Sequence, residues 1–198
     1  MDLPWYDKYE ELLAEGRRAE AKEVLRKFLK RFGGFEDREQ WTRAFLSRHA
    51  FGQKIRHEVY SELIFPVIFE GSKSKDAWSL FWLGGTSQNL YSARRLHAQV
   101  GFKTELQFLR IAYEADASST RIRSALLRSL LDSFGHAAHE WPAGILWGMD
   151  GATPEQCKML LCDVALAREL NQGHLSAASI DDFEHKVLSY LARSEPSG

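Results

Sequence analysis

Residues 5–32, WYDKYEELLAEGRRAEAKEVLRKFLKRF, contain two stretches with helical spacing of apolar residues, one on each side of Gly16. In the second stretch the apolar residues fall three or four positions apart, which places them on one face of a helix: Ala21, Val24, Leu25, Phe28, Leu29 and Phe32. Gly16 can adopt the positive φ that ends a helix. The stretch therefore predicts two helices packed as a hairpin.

Within this stretch, LLAEGRRAEAKEVLRKFL resembles the middle of a tetratricopeptide repeat, with Gly16 and Ala21 at matching positions. The resemblance covers one repeat, and the later hairpins do not repeat these residues. It implies a helical-repeat scaffold of the kind that binds proteins or peptides.

Helix-length apolar patterns continue to the C-terminus, separated by joints at intervals of roughly 30 to 35 residues. No window alternates apolar and polar residues as a strand does. We expect an all-α fold of about nine or ten helices, in antiparallel hairpins stacked as a short right-handed α-solenoid like that of TPR and HEAT proteins. The alternative is a compact helical bundle. One domain over residues 1–193 and a disordered tail over residues 194–198 are expected.

Several residues predict where individual helices begin, bend or end. Pro66 lacks the amide that would bond to the Glu62 carbonyl, so we expect a kink or an early end to the helix around it. Thr153-Pro154-Glu155-Gln156 has the pattern of a capping box with proline at the first helical position. Ser179 is expected to cap the last helix. The stretch AGILWGMDGA, residues 143–152, is expected to be a short turn or one helical fragment.

The composition gives no general attraction to nucleic acid or to an anionic membrane, because the net charge is −1. Residues 140–198 are nevertheless acidic, with nine acidic and four basic side chains. The first residues lack the pattern of a signal peptide, and no run approaches the ~18 apolar residues of a membrane span. Cys157 and Cys162 are five residues apart on one predicted helix, which disfavours a disulfide. These features favour a reducing, cytoplasmic location.

One cluster has the composition of a metal site: His136, His139 and the adjacent Glu140. Two histidines three residues apart share a helix face and can bind a divalent metal, with the glutamate as a base. The spacing differs from the His-Glu-x-x-His of zinc proteases. A helix C-terminus, where histidines interact favourably with carbonyls, explains the cluster more simply. No bound metal or cofactor is therefore expected.

His57-Glu58 and His139-Glu140 resemble the paired His-acid residues of helical metal-dependent phosphohydrolases of the HD type. That family needs a His-Asp dyad, and the chain contains no His-Asp dipeptide. A second acidic group, Asp181, Asp182 and Glu184 with His185, is expected in the first turn of a helix, where carboxylates are favourable.

Positive charge concentrates in the middle of the chain, and five of its arginines form the predicted partner-binding set: Arg94, Arg95, Arg121, Arg123 and Arg128. If these arginines lie on one face of the protein, they could bind phosphates or an acidic partner. Together with the aromatic residues nearby, such a face would resemble the DNA-binding surface of HEAT-like alkylation-repair glycosylases. A solvated face with interspersed acids is the simpler interpretation.

The sequence contains neither a nucleophile elbow nor a phosphate loop, so enzyme activity is unsupported rather than excluded. Our leading hypothesis is a non-enzymatic scaffold for protein–protein interaction, such as a bacterial immunity protein or an adaptor, that binds one protein partner. The alternatives are a helical metal-dependent phosphohydrolase and a HEAT-like nucleic-acid-binding protein. No membrane partner is expected.

Overall fold

The structure, a computed structural model, describes residues 4–194 and confirms the all-α class. These residues form eleven helical segments and one two-stranded hairpin. The chain divides into two compact units, Met1–Ala115 and Asp116–Gly198. The predicted solenoid, its bundle alternative and the single domain over residues 1–193 stay predictions.

Unit 1 contains eight helical segments within its described residues. They are α1 (Pro4–Ala14), α2 (Arg18–Leu29), α3 (Phe35–Arg48), α4 (residues 57–73), α5 (Ala77–Gly85), α6 (Ser87–Tyr91), α7 (Arg94–Gln99) and α8 (Glu105–Ala115).

The first two helices form the predicted hairpin around Gly16. Gly16 has φ +77°, and its amide donates to the Leu13 carbonyl at 3.1 Å. The next amide, of Arg17, donates to the Leu12 carbonyl at 2.8 Å. This pair of bonds is the Schellman arrangement, which satisfies the last carbonyls of a helix and needs a residue that tolerates positive φ. Ala21 on α2 is fully buried, so the small residue lies where α2 meets its neighbours.

Helix α4 continues past Pro66 by widening one turn. It consists of His57–Val59, a π-helical turn Tyr60–Ile64, and an α-helical part Phe65–Lys73. The Phe65 amide donates to the carbonyl of Tyr60, five residues earlier. The wider turn leaves room for a proline ring that would otherwise clash with the preceding turn. The proline therefore changes the local winding instead of ending the helix.

The core of unit 1 forms where α4 and α5 pack together and where α5 packs on α8. Trp82, Tyr60 and Ile64 are fully buried there. Asp76 caps α5, since its carboxylate accepts from the Ser79 amide at 3.0 Å and the Ser79 hydroxyl at 2.6 Å. The dense aromatic residues of α5 thus belong first to the core.

The described residues of unit 2 form three long helices and the small β-hairpin: α9 (Thr120–Ala137), β1 (Leu146–Trp147), β2 (Asp150–Gly151), α10 (Pro154–Leu170) and α11 (Ala177–Ser194). The predicted capping box is present, with reciprocal bonds between Thr153 and Gln156. The predicted cap at Ser179 is wrong, because α11 already begins at Ala177. Of the predicted tail, Ser194 lies in α11, and residues 195–198 lie outside the described residues.

The core of unit 2 lies between α9, α10 and α11. The rings of Phe134 and Phe183 stack at 4.3 Å between centres. Cys157 and Cys162 are both free. Burial raises the pKa of Cys157, so this thiol is a neutral packing group. Among residues 4–194, no helix is both long enough and apolar enough to cross a membrane.

Candidate functional site

The segment between α9 and α10 forms a small β-hairpin with an exposed tip. The two strands pair antiparallel, in the register Leu146–Gly151 and Trp147–Asp150. Between them, Gly148 has φ +67°, as the first central position of a type II′ turn requires. Met149 follows it and is 96% exposed. Of the two predicted alternatives for residues 143–152, a turn is present at Gly148 and Met149, whereas the helical fragment is wrong because the flanking backbone pairs as two short strands.

Two side chains from the last turns of α11 hold this segment in place. Arg193 donates to the Pro142 carbonyl at 2.7 Å, and its guanidinium carbon lies 5.0 Å from the centre of the Trp141 ring. The Tyr190 ring centre lies 6.0 Å from the same carbon. A Cβ added to Gly151 would lie 3.2 Å from the Tyr190 hydroxyl oxygen. A cation over aromatic rings and a charged hydrogen bond thus hold Trp141 and Pro142, which precede the hairpin, against α11, and Gly151 of β2 lies close to Tyr190.

The side chains around this contact form what we call the hairpin face: Trp141, Trp147, Met149, Tyr190 and Arg193. Its aromatic residues are half-buried, whereas its methionine is almost fully exposed. Tryptophan, tyrosine, methionine and arginine are the residue types enriched where proteins bind each other. Single exposed apolar residues are common on protein surfaces. Here three of these residues lie in the segment between α9 and α10, and the other two lie on α11, which contacts this segment, so we take the hairpin face as the candidate site.

The surface of unit 2 carries many carboxylates. Glu140 and Asp150 are exposed in the segment that carries the hairpin. On α10, Arg168 bonds to Asp181 at 2.7 Å and to both carboxylate oxygens of Glu184 at 2.8 and 2.6 Å. The hydrogen bonds from Arg168 hold the pKa of Glu184 below its ordinary value. Glu184 is therefore charged at neutral pH and does not serve as a proton donor.

The predicted metal cluster lies at the C-terminal end of α9. His136 is in the last helical turn, and the His139 amide donates to its carbonyl at 3.1 Å. The imidazole of His139 lies 3.9 Å from the Glu140 carboxylate, and 76% of the first side chain and 56% of the second are exposed. In residues 4–194 no group of three or more His, Cys, Asp or Glu side chains is placed to hold a metal ion. The structure thus brings no further ligand to these residues.

The five predicted partner-binding arginines belong to different units: Arg94 and Arg95 lie on α7 of unit 1, and Arg121, Arg123 and Arg128 on α9 of unit 2. Arg123 is half-buried, and its guanidinium donates to the Glu169 carbonyl at 3.4 Å. This bond gives it a packing role at the end of α10. Arg128 is exposed. A partner-binding role for the whole set stays a prediction.

The other two acidic sites predicted from sequence also have structural positions. His57 begins α4 in unit 1, whereas His139 belongs to unit 2. The placement of Asp181, Asp182, Glu184 and His185 in a first helical turn is wrong, because α11 begins at Ala177. Two of these acids bind Arg168, as described, and Asp182 pairs with Lys186 at 2.7 Å. Side-chain pairing across and along helices, not capping, explains the group.

Sequence reasoning missed Met149, Tyr190 and Arg193 as members of a site. A partial signal was present, since Gly148-Met149 between Trp147 and Asp150 has the glycine that a two-residue hairpin turn needs. Tyr190 and Arg193 are three residues apart and share a helix face. Their meeting with Trp141 depends on tertiary packing, which no local pattern encodes.

No protein-family model, curated protein or solved structure matches the chain.

Proposed function

We propose that this chain is a non-enzymatic interaction protein that binds one protein partner through the hairpin face. The observation that carries the proposal is the fully exposed Met149 and the half-buried Trp147 on a hairpin that lies close to Tyr190 of α11 and follows a segment bound by Arg193. A supported backbone presents these side chains at little entropic cost, which is what an interface anchor requires.

The partner we expect has an apolar depression with a basic rim. The apolar part follows from the tryptophan and methionine side chains, and the basic rim from the acidic surroundings. Residues 140–198 carry nine acidic and four basic side chains, with Glu140 and Asp150 exposed in the hairpin segment. Opposite charges at the rim accelerate association and select the partner. A bacterial immunity protein or an adaptor, acting in the cytoplasm, has the properties of this class.

The test compares two exposed apolar residues of unit 2. Met149 on the hairpin face is 96% exposed, and Leu175 in the loop between α10 and α11 is 97% exposed. The tagged chain, its Met149→Ser and Trp147→Ala variants, and the matched Leu175→Ser control are cross-linked in the native cells and purified. We expect one stoichiometric protein partner with the parent and with Leu175→Ser. The hairpin variants should lose at least tenfold in affinity, the usual effect of an interface hot spot of more than about 1.4 kcal/mol.

Two results would contradict the proposal. A stoichiometric partner that binds the hairpin variants as tightly as the parent would place the interface elsewhere. Metal-dependent hydrolysis by the purified chain, lost in a His139→Ala variant, would support the phosphohydrolase alternative instead.

A further inference from the structure

A cavity of about 450 Å³ lies in unit 1. It is bounded by α1, by the end of α3, by the loop before α4 and by the first residue of α4. Its lining comprises Tyr6, Glu10, Phe45, His49, Gln53, Lys54, Ile55, Arg56 and His57. The volume is within the range of sites for small molecules, roughly 300 to 1,000 Å³.

The loop that forms one wall is fixed by buried hydrogen bonds. Asn89 on α6 is 1% exposed. Its side chain accepts from the Ile55 amide at 3.0 Å and donates to the Ile55 carbonyl at 2.7 Å, as a neighbouring strand would. Next to it, the Lys54 ammonium donates to the Ser92 hydroxyl at 3.1 Å. The wall is thus positioned before any ligand arrives, which lowers the entropic cost of binding.

The lining carries more positive than negative charge. Lys54 and Arg56 are cations, and His57 adds a further donor. Glu10 is the one acid among the described lining residues, and it accepts a hydrogen bond from the Tyr6 hydroxyl at 3.1 Å. Among residues 4–194, the Arg56 guanidinium forms no ion pair, so its donors are available to a ligand.

Two further features of the lining suit a ligand that carries both a charged group and a ring. The aromatic rings of Tyr6 and Phe45 line the cavity beside the basic groups. Arg56, which immediately precedes α4, is exposed, so its guanidinium can be reached by a ligand from solvent.

We infer that this cavity binds a small organic phosphate ester. The planar guanidinium of Arg56 and the ammonium of Lys54 bind the phosphate, since a guanidinium can donate two parallel hydrogen bonds to its oxygens. The organic part lies against the rings of Tyr6 and Phe45. This site lies in unit 1 and does not depend on the protein partner proposed above.

The experiment is calorimetric titration of the full chain with adenosine monophosphate and, separately, with inorganic phosphate. We expect saturable binding of the ester and at least tenfold weaker binding of inorganic phosphate, which lacks the ring. Arg56→Gln should weaken ester binding about tenfold or more, since it removes hydrogen bonds to a charged group. Arg18→Gln removes the same charge from an exposed residue of α2 outside the cavity, and should leave binding unchanged.

Three outcomes would overturn the inference. Absence of saturable ester binding at millimolar concentration would show that the cavity is not a phosphate site. Equal weakening in Arg56→Gln and Arg18→Gln would show general charge attraction. Equal affinity for phosphate and ester would show that the rings do not contribute and that the ligand class is wrong. Circular dichroism of both variants checks that neither has lost its helices.

Discussion

At the scale of single residues, Gly71 shows how closely the helices of unit 1 approach one another. It lies in the last part of α4, where a Cβ would overlap the hydroxyl of Ser79 and lie 2.9 Å from its Cβ. Ser79 cannot easily move away, since it is 1% exposed and its hydroxyl is bonded to Asp76. The absence of a side chain at position 71 is therefore a packing requirement.

Gly71 and Gly135 both lie in helices but have different surroundings. Replacing each with alanine is therefore predicted to have opposite effects on stability. Gly71→Ala should lower the free energy of unfolding by about 1 to 3 kcal/mol or more, the usual cost of overpacking. Gly135→Ala on α9 should raise it by about 0.5 to 1 kcal/mol, because alanine is the better helix former. Apart from its chain neighbours and the backbone of its own helix, no described atom lies within 4 Å of a Cβ added at position 135.

Urea denaturation of the two variants, followed by circular dichroism, measures both changes. Equal stability of Gly71→Ala and the parent would mean that α4 and α5 do not pack this closely. A destabilised Gly135→Ala would contradict the open surroundings of that glycine.

At the scale of elements, α10 and α11 are joined on their surface by Arg168. Its guanidinium binds carboxylates from two successive turns of α11, Asp181 and Glu184. Isolated ion pairs on a surface contribute little to stability, but two bonds from one guanidinium to one carboxylate are a favourable geometry. The pairing therefore fixes how these two helices are aligned.

The pairing predicts a dependence of stability on pH. Because Arg168 holds the pKa of Glu184 below its ordinary value, the folded state binds this proton less readily than the unfolded state. The stabilisation is thus fully present above the ordinary glutamate pKa of about 4.3 and is lost as the pH falls through the lower pKa of the folded state. Arg168→Gln should lower the free energy of unfolding slightly at pH 7, because the pair is exposed, and should leave it unchanged at a pH below both pKa values.

Urea denaturation at a series of pH values checks this difference. Arg128→Gln on α9, an exposed arginine, is the matched control and should show no such dependence. A constant difference between the parent and Arg168→Gln from pH 7 to strong acid would contradict a role for the carboxylates.

At the scale of the whole molecule, the chain consists of two units, each with its own core. In unit 1 the core contains Trp82, Tyr60 and Ile64, and in unit 2 it contains Leu126, Leu130 and the stacked Phe134 and Phe183. A separate core is the property that allows a domain to fold alone.

We therefore expect residues 1–115 and 116–198 to fold when they are produced as separate chains. Each should show the circular dichroism of a helical protein and one cooperative thermal transition. The second fragment should be the less stable, because a chain of this length buries a smaller fraction of its surface. A fragment that has no cooperative transition would support the single domain over residues 1–193 that the sequence predicts.

The helix boundaries show how far local sequence determines this fold. Gly16, Asp76 and the Thr153–Gln156 capping box mark helix ends in the structure because each acts on backbone groups within a few residues of itself. The start of α11 was mispredicted at Ser179, since a serine can cap a helix or lie inside one. Pro66 was recognised as a disturbance, but the π-helical turn that accommodates it was not.

The sequence by itself determined the all-α class, because apolar spacing and capping are local properties of the chain. Only the tertiary structure decided where the hairpin face and the cavity of unit 1 are formed. The contact of Arg193 with Trp141 joins residues 52 positions apart, and the bond of Asn89 with Ile55 joins residues 34 positions apart. Such contacts form because the packed helices bring distant segments together, and their partners leave no periodic pattern in the sequence.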